Sequence, residues 1–188
     1  MIEKLSGPAS SGQYEEIIFD LPGPWKTGKW NYVIFTKKDD TQWCGCFREQ
    51  DNPSFEIAEL PEKNIACIIS GGHGYIVDVE NKKKIKSLSI ERITDVLADE
   101  KEGIFYIARW YDLHYVDNNL AEVPIALSFA ADGILFKSAN NRSVNLEVTE
   151  IGAELSINNN YYLDLDKKGV LEQGHNFLSK FLKWIRKN

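Results

Sequence analysis

Along much of this chain apolar side chains recur at every second position over short runs, and each run stops at a cluster of Gly, Pro, Asn, Asp or Lys. Asn64 to Ile90 shows the scheme. Ile65 to Ser70 is a short apolar run, Ser70-Gly71-Gly72-His73-Gly74 breaks it, and Tyr75 to Glu80 resumes with Tyr75, Val77 and Val79 on one face and Asp78 and Glu80 on the other. A period of two puts successive side chains on opposite faces of a strand. Glycine supplies the positive φ that a tight connection needs. Asn81 to Lys84 then turns the chain toward Ile85 to Ile90.

The same reading applied in order predicts strands over Glu15 to Phe19, Trp30 to Thr36, Gln42 to Arg48 and Phe55 to Leu60, with Pro22, Pro24, Pro53 and Pro61 between them as breaks. On Gln42 to Arg48, Trp43, Gly45 and Phe47 share one face and Cys44, Cys46 and Arg48 the other. Glu91 to Glu102 carries Ile93, Val96 and Leu97 at spacings of three and four, which predicts a brief helix. Beyond it, Ile104 to Arg109, Leu113 to Val116, Ala126 to Phe129, Ile134 to Ser138, Val144 to Val148, Leu155 to Ile157 and Tyr161 to Asp166 read as strands. The turns between them fall at Trp110-Tyr111-Asp112, Asp132-Gly133, Asn140-Asn141 and Asn158 to Asn160.

The expected fold class is mainly β, an antiparallel meander of hairpins that builds a sandwich, a barrel or propeller-like blades. GYIVDVENKKKI and DGILFKSANNRSVNLEV look like hairpins of β-propeller blades, though each covers fewer than ~20 residues and about four blades is the most this length holds. Residues 1–13, small and polar over Leu5 to Gln13, read as a flexible tail. Residues 14–188 read as one domain ending in an amphipathic α-helix over 176–187, where Phe177, Phe181 and Trp184, and again Leu178, Leu182 and Ile185, follow helical spacing. That helix would dock on the protein's own sheet, with a homodimer contact or a membrane surface as alternatives.

With 22 basic against 28 acidic residues the net charge is -6, which opposes binding to nucleic acid or anionic lipid and suits a basic partner. No run is long enough to span a membrane, and the amino terminus lacks the apolar core of a signal peptide. Three cysteines cannot close a disulfide framework within one chain, so reduced thiols and a cytoplasmic location are expected.

Four groups of residues bear on function. Ser70, Gly71, Gly72, His73 and Gly74 form a candidate ligand-binding loop, because glycines let N–H groups converge on an anion and His73 titrates near neutral pH. The plainer alternative is a structural turn, since the Lys-Ser or Lys-Thr of a phosphate loop is missing. Trp25, Trp30 and Trp43 are partner-binding anchors if exposed and core if buried. Lys82, Lys83, Lys84 and Lys86 would dock an acidic partner or solvate a hairpin tip. Cys44, Cys46, Cys67 and His73 offer zinc-type donors, but a single residue between Cys44 and Cys46 is not zinc spacing. No metal, cofactor or catalytic residue is assigned. The sequence therefore points to a non-catalytic intracellular module that binds a protein, such as an acidic inhibitor or immunity-type protein for a basic partner. Its alternative is a small-molecule or carbohydrate-binding or hydrolysing protein that uses the SGGHG loop.

Overall fold

The computed structural model describes residues 1–10, 12–20, 29–49, 53–140, 142–150 and 157–172. Among these, sixteen strands form four four-stranded sheets that follow one another along the chain. The first holds β1 (Ile2–Leu5), β2 (Glu15–Phe19), β3 (Trp30–Thr36) and β4 (Gln42–Arg48), in the order β1-β3-β4-β2. The second is β5 (Phe55–Leu60), β6 (Ile65–Ser70), β7 (His73–Asp78) and β8 (Lys83–Ser87). The third is β9 (Ile93–Asp99), β10 (Ile104–Arg109), β11 (Leu113–Val116) and β12 (Glu122–Ile125). The fourth is β13 (Ala131–Asn140), β14 (Ser143–Glu150), β15 (Ile157–Asp164) and β16 (Gly169–Glu172). The last three are antiparallel meanders, whereas in the first β2 lies parallel to β4.

The sheets stack face to face, and each seam is a hydrophobic core. Ala66, Ile68, Tyr75 and Val77 of the second sheet meet Val33, Phe35, Trp43 and Phe47 of the first. On their alternate positions Cys67, Ile69 and Ile76 meet Ile93, Val96, Phe105 and Ile107 of the third. Ile104, Tyr106 and Ala108 then turn the other way, toward Ile134, Val144, Leu146 and Val148 of the fourth. A middle strand thus buries both faces, which is why β6 and β10 read as continuous apolar runs. Strands β5, β9 and β13 lie side by side along the inner edge of the stack.

Polar clamps tie the outer edges. Lys82 reaches Glu15 at 2.5 Å, and Lys86 reaches Glu122 at 2.8 Å and the Leu120 carbonyl at 2.6 Å, so two members of the lysine run link the second sheet to both neighbours. Glu122, its side chain 8% exposed, also accepts bonds from the Ser89 N–H and hydroxyl and the Ile90 N–H. Burial alone would raise its pKa, but Lys86 and these donors together hold it at about 2. A carboxylate whose folded pKa is depressed contributes stability above its unfolded pKa of 4.5, and that contribution fades as pH falls toward about 2. Glu122→Gln is therefore expected to lose less stability than the wild type between neutral pH and about pH 3, by roughly 2 kcal/mol. Denaturant midpoints at both pH values test this, and equal losses in the two proteins would refute it.

Several sequence expectations change here. Residues 2–5, assigned to the tail, form β1 and pair with β3. The expected helix over Glu91 to Glu102 is instead β9. Its pairing with β10 skips Thr94, and this bulge sets Ile93 and Val96 three residues apart on one face, imitating helical spacing. Asp132-Gly133 is a bulge inside β13 rather than a turn, and Asn158 to Asn160 continue β15. Strands β12 and β16 have no counterpart among the strands expected from the sequence; β12 sits at the sheet edge, where Pro124 is tolerated. The helix expected over 176–187 lies outside the described residues.

Candidate functional site

The SGGHG stretch is the β6–β7 hairpin, with Gly71 and Gly72 at φ 57° and 81° forming its two-residue turn. Two successive positive φ values are what a tight hairpin requires, and glycine meets them without strain. Ser70 is buried, accepting a bond from the Asn31 amide at 3.0 Å and lying 3.0 Å from the Arg48 carbonyl, so it fastens the second sheet to the first. The Gly71 N–H donates to the Ser54 carbonyl at 2.9 Å, and the Gly72 carbonyl accepts from the Ile93 N–H at 2.9 Å. Gly74 is packed under Leu88, where an added Cβ would come within 2.4 Å of Cδ1. His73 is partly exposed at the start of β7.

Of the three tryptophans, Trp25 lies outside the described residues. Trp30 is half-buried, and the Arg48 guanidinium covers its ring at 4.4 Å while forking onto the Asp20 carboxylate, with Nη2 to Oδ2 at 2.7 Å. Trp43 is 0% exposed: it stacks on Phe35 at 4.2 Å and donates its indole N–H to the Val79 carbonyl at 3.0 Å. It therefore joins two sheets and offers no surface to a partner.

The three cysteines are free, buried thiols in two different clusters. Cys44 and Cys46 sit on the far face of the first sheet, and Cys67 lies between the second and third. Burial pushes the Cys67 thiol well up. Among the described residues no three His, Cys, Asp or Glu side chains converge as a metal site.

A cleft of about 330 Å³ opens where the inner strands begin, an arrangement hidden in the sequence. Its wall takes Ser54 from just before β5, Thr94 from the bulge of β9, Trp110 from the β10–β11 turn, and Asp132, Gly133 and Thr149 from the paired β13 and β14. Thr94 donates its hydroxyl toward the carbonyls of Ala108 and Ile134, at 3.1 and 3.3 Å, holding β9 against the bulge of β13. Asp95 accepts the Phe136 N–H at 2.9 Å for the same effect, and its burial raises its pKa above the ordinary range despite that bond. Gly133 has φ 146°, and a Cβ there would sit 3.5 Å from Thr149 Oγ1 and 3.8 Å from the Trp110 ring. The missing side chain keeps the space between those two walls open.

Two of the bonds made by the SGGHG backbone lead toward this cleft, one to Ser54 in its wall and one to Ile93, the residue before Thr94. Beside it, Asp112 accepts from Arg109 Nη1 at 3.1 Å and stands 3.3 Å from His114 Nδ1, bracing the turn that presents Trp110 and Tyr111. Burial, only partly opposed by Asp112, holds the His114 pKa below its ordinary value. Trp110 is 47% exposed and Tyr111 58%. The signal for them was present: two consecutive aromatics in a turn, with no strand face on which to bury both.

No family model and no curated protein matches the chain. Among solved structures, hydrazine synthase from Kuenenia stuttgartiensis is similar over 89% of this chain and 51% of its own, with TM-score 0.55 and 13% identity. The dihydro-heme d1 dehydrogenase NirN, in complex with DHE, matches over 77% of this chain and 42% of its own, with TM-score 0.46 and 10% identity. At such identity the first likeness is one of fold alone, and the chain spans about half the length of that protein.

Proposed function

We propose that this protein is a non-catalytic, propeller-like module that binds a protein partner at the end of the stack where β5, β9 and β13 begin. The observation that carries the reading is the exposed Trp110-Tyr111 pair, braced by the Arg109–Asp112 bridge and set beside a cleft of ligand size. Exposed aromatics on a rigid support are the residues that most often anchor interfaces. The net charge of -6 favours a basic partner, of the kind an inhibitor or immunity-type protein would meet. Three unpaired, buried thiols support a reducing compartment, the cytoplasm. No helix among the described residues is long and apolar enough to cross a membrane.

The test is capture from the host's lysate by the wild type and by the Trp110→Ala/Tyr111→Ala variant at matched concentration. A partner retained by the first is expected to fall by about tenfold or more on the second, since two anchors each contribute roughly 1 kcal/mol or more. Equal retention by both would overturn the assignment of this surface. A second reading, small-molecule or carbohydrate binding at SGGHG, draws on the two hydrogen bonds that join this turn to the cleft. Under it, His73→Ala abolishes ligand binding and leaves partner capture unchanged.

A further inference from the structure

We propose that the cleft beside Trp110 receives a lysine or arginine side chain of the partner, which makes it the specificity pocket of the surface proposed above; the inference rests on that reading. Three properties of the walls point to a cation carried on an aliphatic stem. The Trp110 ring forms one side, and an indole face attracts a cation within ~6 Å of its centroid. Asp132, exposed, and Glu147, 42% exposed, supply carboxylates, which accept hydrogen bonds and repel anions. Leu135, 40% exposed, adds apolar surface suited to the methylenes of such a side chain.

The chain already shows the pairing on a small scale. Lys137 approaches Glu147 at 3.0 Å, so this carboxylate holds an ammonium in place from its own sheet. A guanidinium entering beside it would share Glu147 and add Asp132, with Trp110 stacked above. The Thr94 hydroxyl is committed to two carbonyls, so the charged groups of the wall are the carboxylates of Asp132 and Glu147. Net charge alone would favour cations anywhere on the surface, whereas the cleft adds a cavity of about 330 Å³ and an aromatic wall at one place.

Isothermal titration calorimetry of the full chain with short oligo-arginine and oligo-lysine peptides tests this, with oligo-glutamate and a maltooligosaccharide as comparison ligands. The cationic peptides are expected to bind saturably at one site and to weaken with salt. Trp110→Ala should weaken them about fivefold to tenfold, and Asp132→Asn or Glu147→Gln each about threefold to fivefold. Glu100→Gln, in the β9–β10 turn at the opposite end, makes the same change in net charge and should leave affinity unaltered. Absence of saturable binding by the cationic peptides overturns the inference. So does a Glu100→Gln loss as large as that of Asp132→Asn, which reduces the effect to bulk charge, or saturable binding of the maltooligosaccharide that Trp110→Ala removes. If the cationic peptides fail while Trp110→Ala/Tyr111→Ala still loses its lysate partner, the protein-binding reading stands and the cation pocket falls.

Discussion

Trp43→Ala is expected to lower the unfolding free energy by about 4 kcal/mol, the cost of removing a large aromatic side chain from a closed core. The indole has 0% exposure, and its neighbours leave little room for collapse. Phe35 is stacked on it at 4.2 Å, and Phe19 stands at 6.2 Å; Phe47 in turn packs on Phe19, Phe35 and Tyr75. Gly45 lies between Trp43 and Phe47 on the strand, and a Cβ there would fall 2.7 Å from the Phe47 ring and 2.8 Å from that of Phe35, so the backbone already lies as close as it can. Trp43→Phe separates the two parts of the cost. It keeps most of the aromatic volume but leaves the Val79 carbonyl without its donor, for about 1 to 2 kcal/mol. Urea midpoints of the three proteins rank them, and a Trp43→Ala loss below that of Trp43→Phe would rule out the cavity argument. Any partner binding lost in Trp43→Ala should return in Trp43→Phe at a temperature where the latter is folded, because the ring has no external face.

What could be read from the sequence was local. The hairpins at residues 30–48, 65–78 and 104–116 announce themselves by apolar runs that end in residues fit for turns, and the SGGHG glycines take the positive φ values that such a turn demands. Tyr161, Leu163 and Leu165 are buried as their alternation predicts. Where alternation failed, a bulge or a doubly buried strand was responsible. In β9 an extra residue at Thr94 shifts the phase of the apolar positions, and Val96 faces the second sheet while Leu97 faces the fourth. Asp95 and Asp99 share the Leu97 face, so carboxylates and an apolar side chain are mixed toward the fourth sheet and a period of two shows little contrast. The parallel pairing of β2 with β4 joins segments separated by more than twenty residues, and no local pattern encodes it.

The cleft was illegible for a related reason. Ser54, Thr94, Trp110, Gly133 and Thr149 come from five separate places in the chain and meet because the sheets stack in sequence order. Asp132-Gly133 carries the residues that hairpin turns favour, and their use as a bulge is fixed only by the pairing of Ala131 with Glu150 and Ile134 with Val148. The SGGHG loop drew attention as a site in its own right. The structure gives its backbone a supporting position, one hydrogen bond away from a different site.

Arg142→Ala is expected to destabilise the protein by about 3 kcal/mol, the range found when a buried ion pair loses one partner. Arg142 follows β13 and forks onto Asp99 at the end of β9, with Nη1 to Oδ1 at 2.6 Å and Nη2 to Oδ2 at 2.9 Å, while Nε donates to Asp166 at 2.9 Å. The Asp99 side chain is 2% exposed beneath the guanidinium, so alanine at 142 leaves a largely buried carboxylate without its cation. That penalty is a property of the remaining charge, and removing the charge should remove part of it. Arg142→Ala/Asp99→Asn is therefore expected to be more stable than Arg142→Ala alone, a coupling of opposite sign to simple addition. Arg142→Lys should fall between wild type and alanine, because an ammonium keeps the charge but cannot match both oxygens of Asp99 and reach Asp166 at once. Acid adds a further check on the same bond. Arg142 holds the Asp166 carboxyl below its ordinary pKa, so the stability this group contributes is present above its unfolded pKa and declines as pH falls through the depressed one. The decline should be shallower in Arg142→Ala. A loss under about 0.5 kcal/mol in Arg142→Ala, with no recovery in the double variant, would mean that the Arg142 bridge adds nothing to the apolar seam and the Thr94 and Asp95 bonds that join the third and fourth sheets.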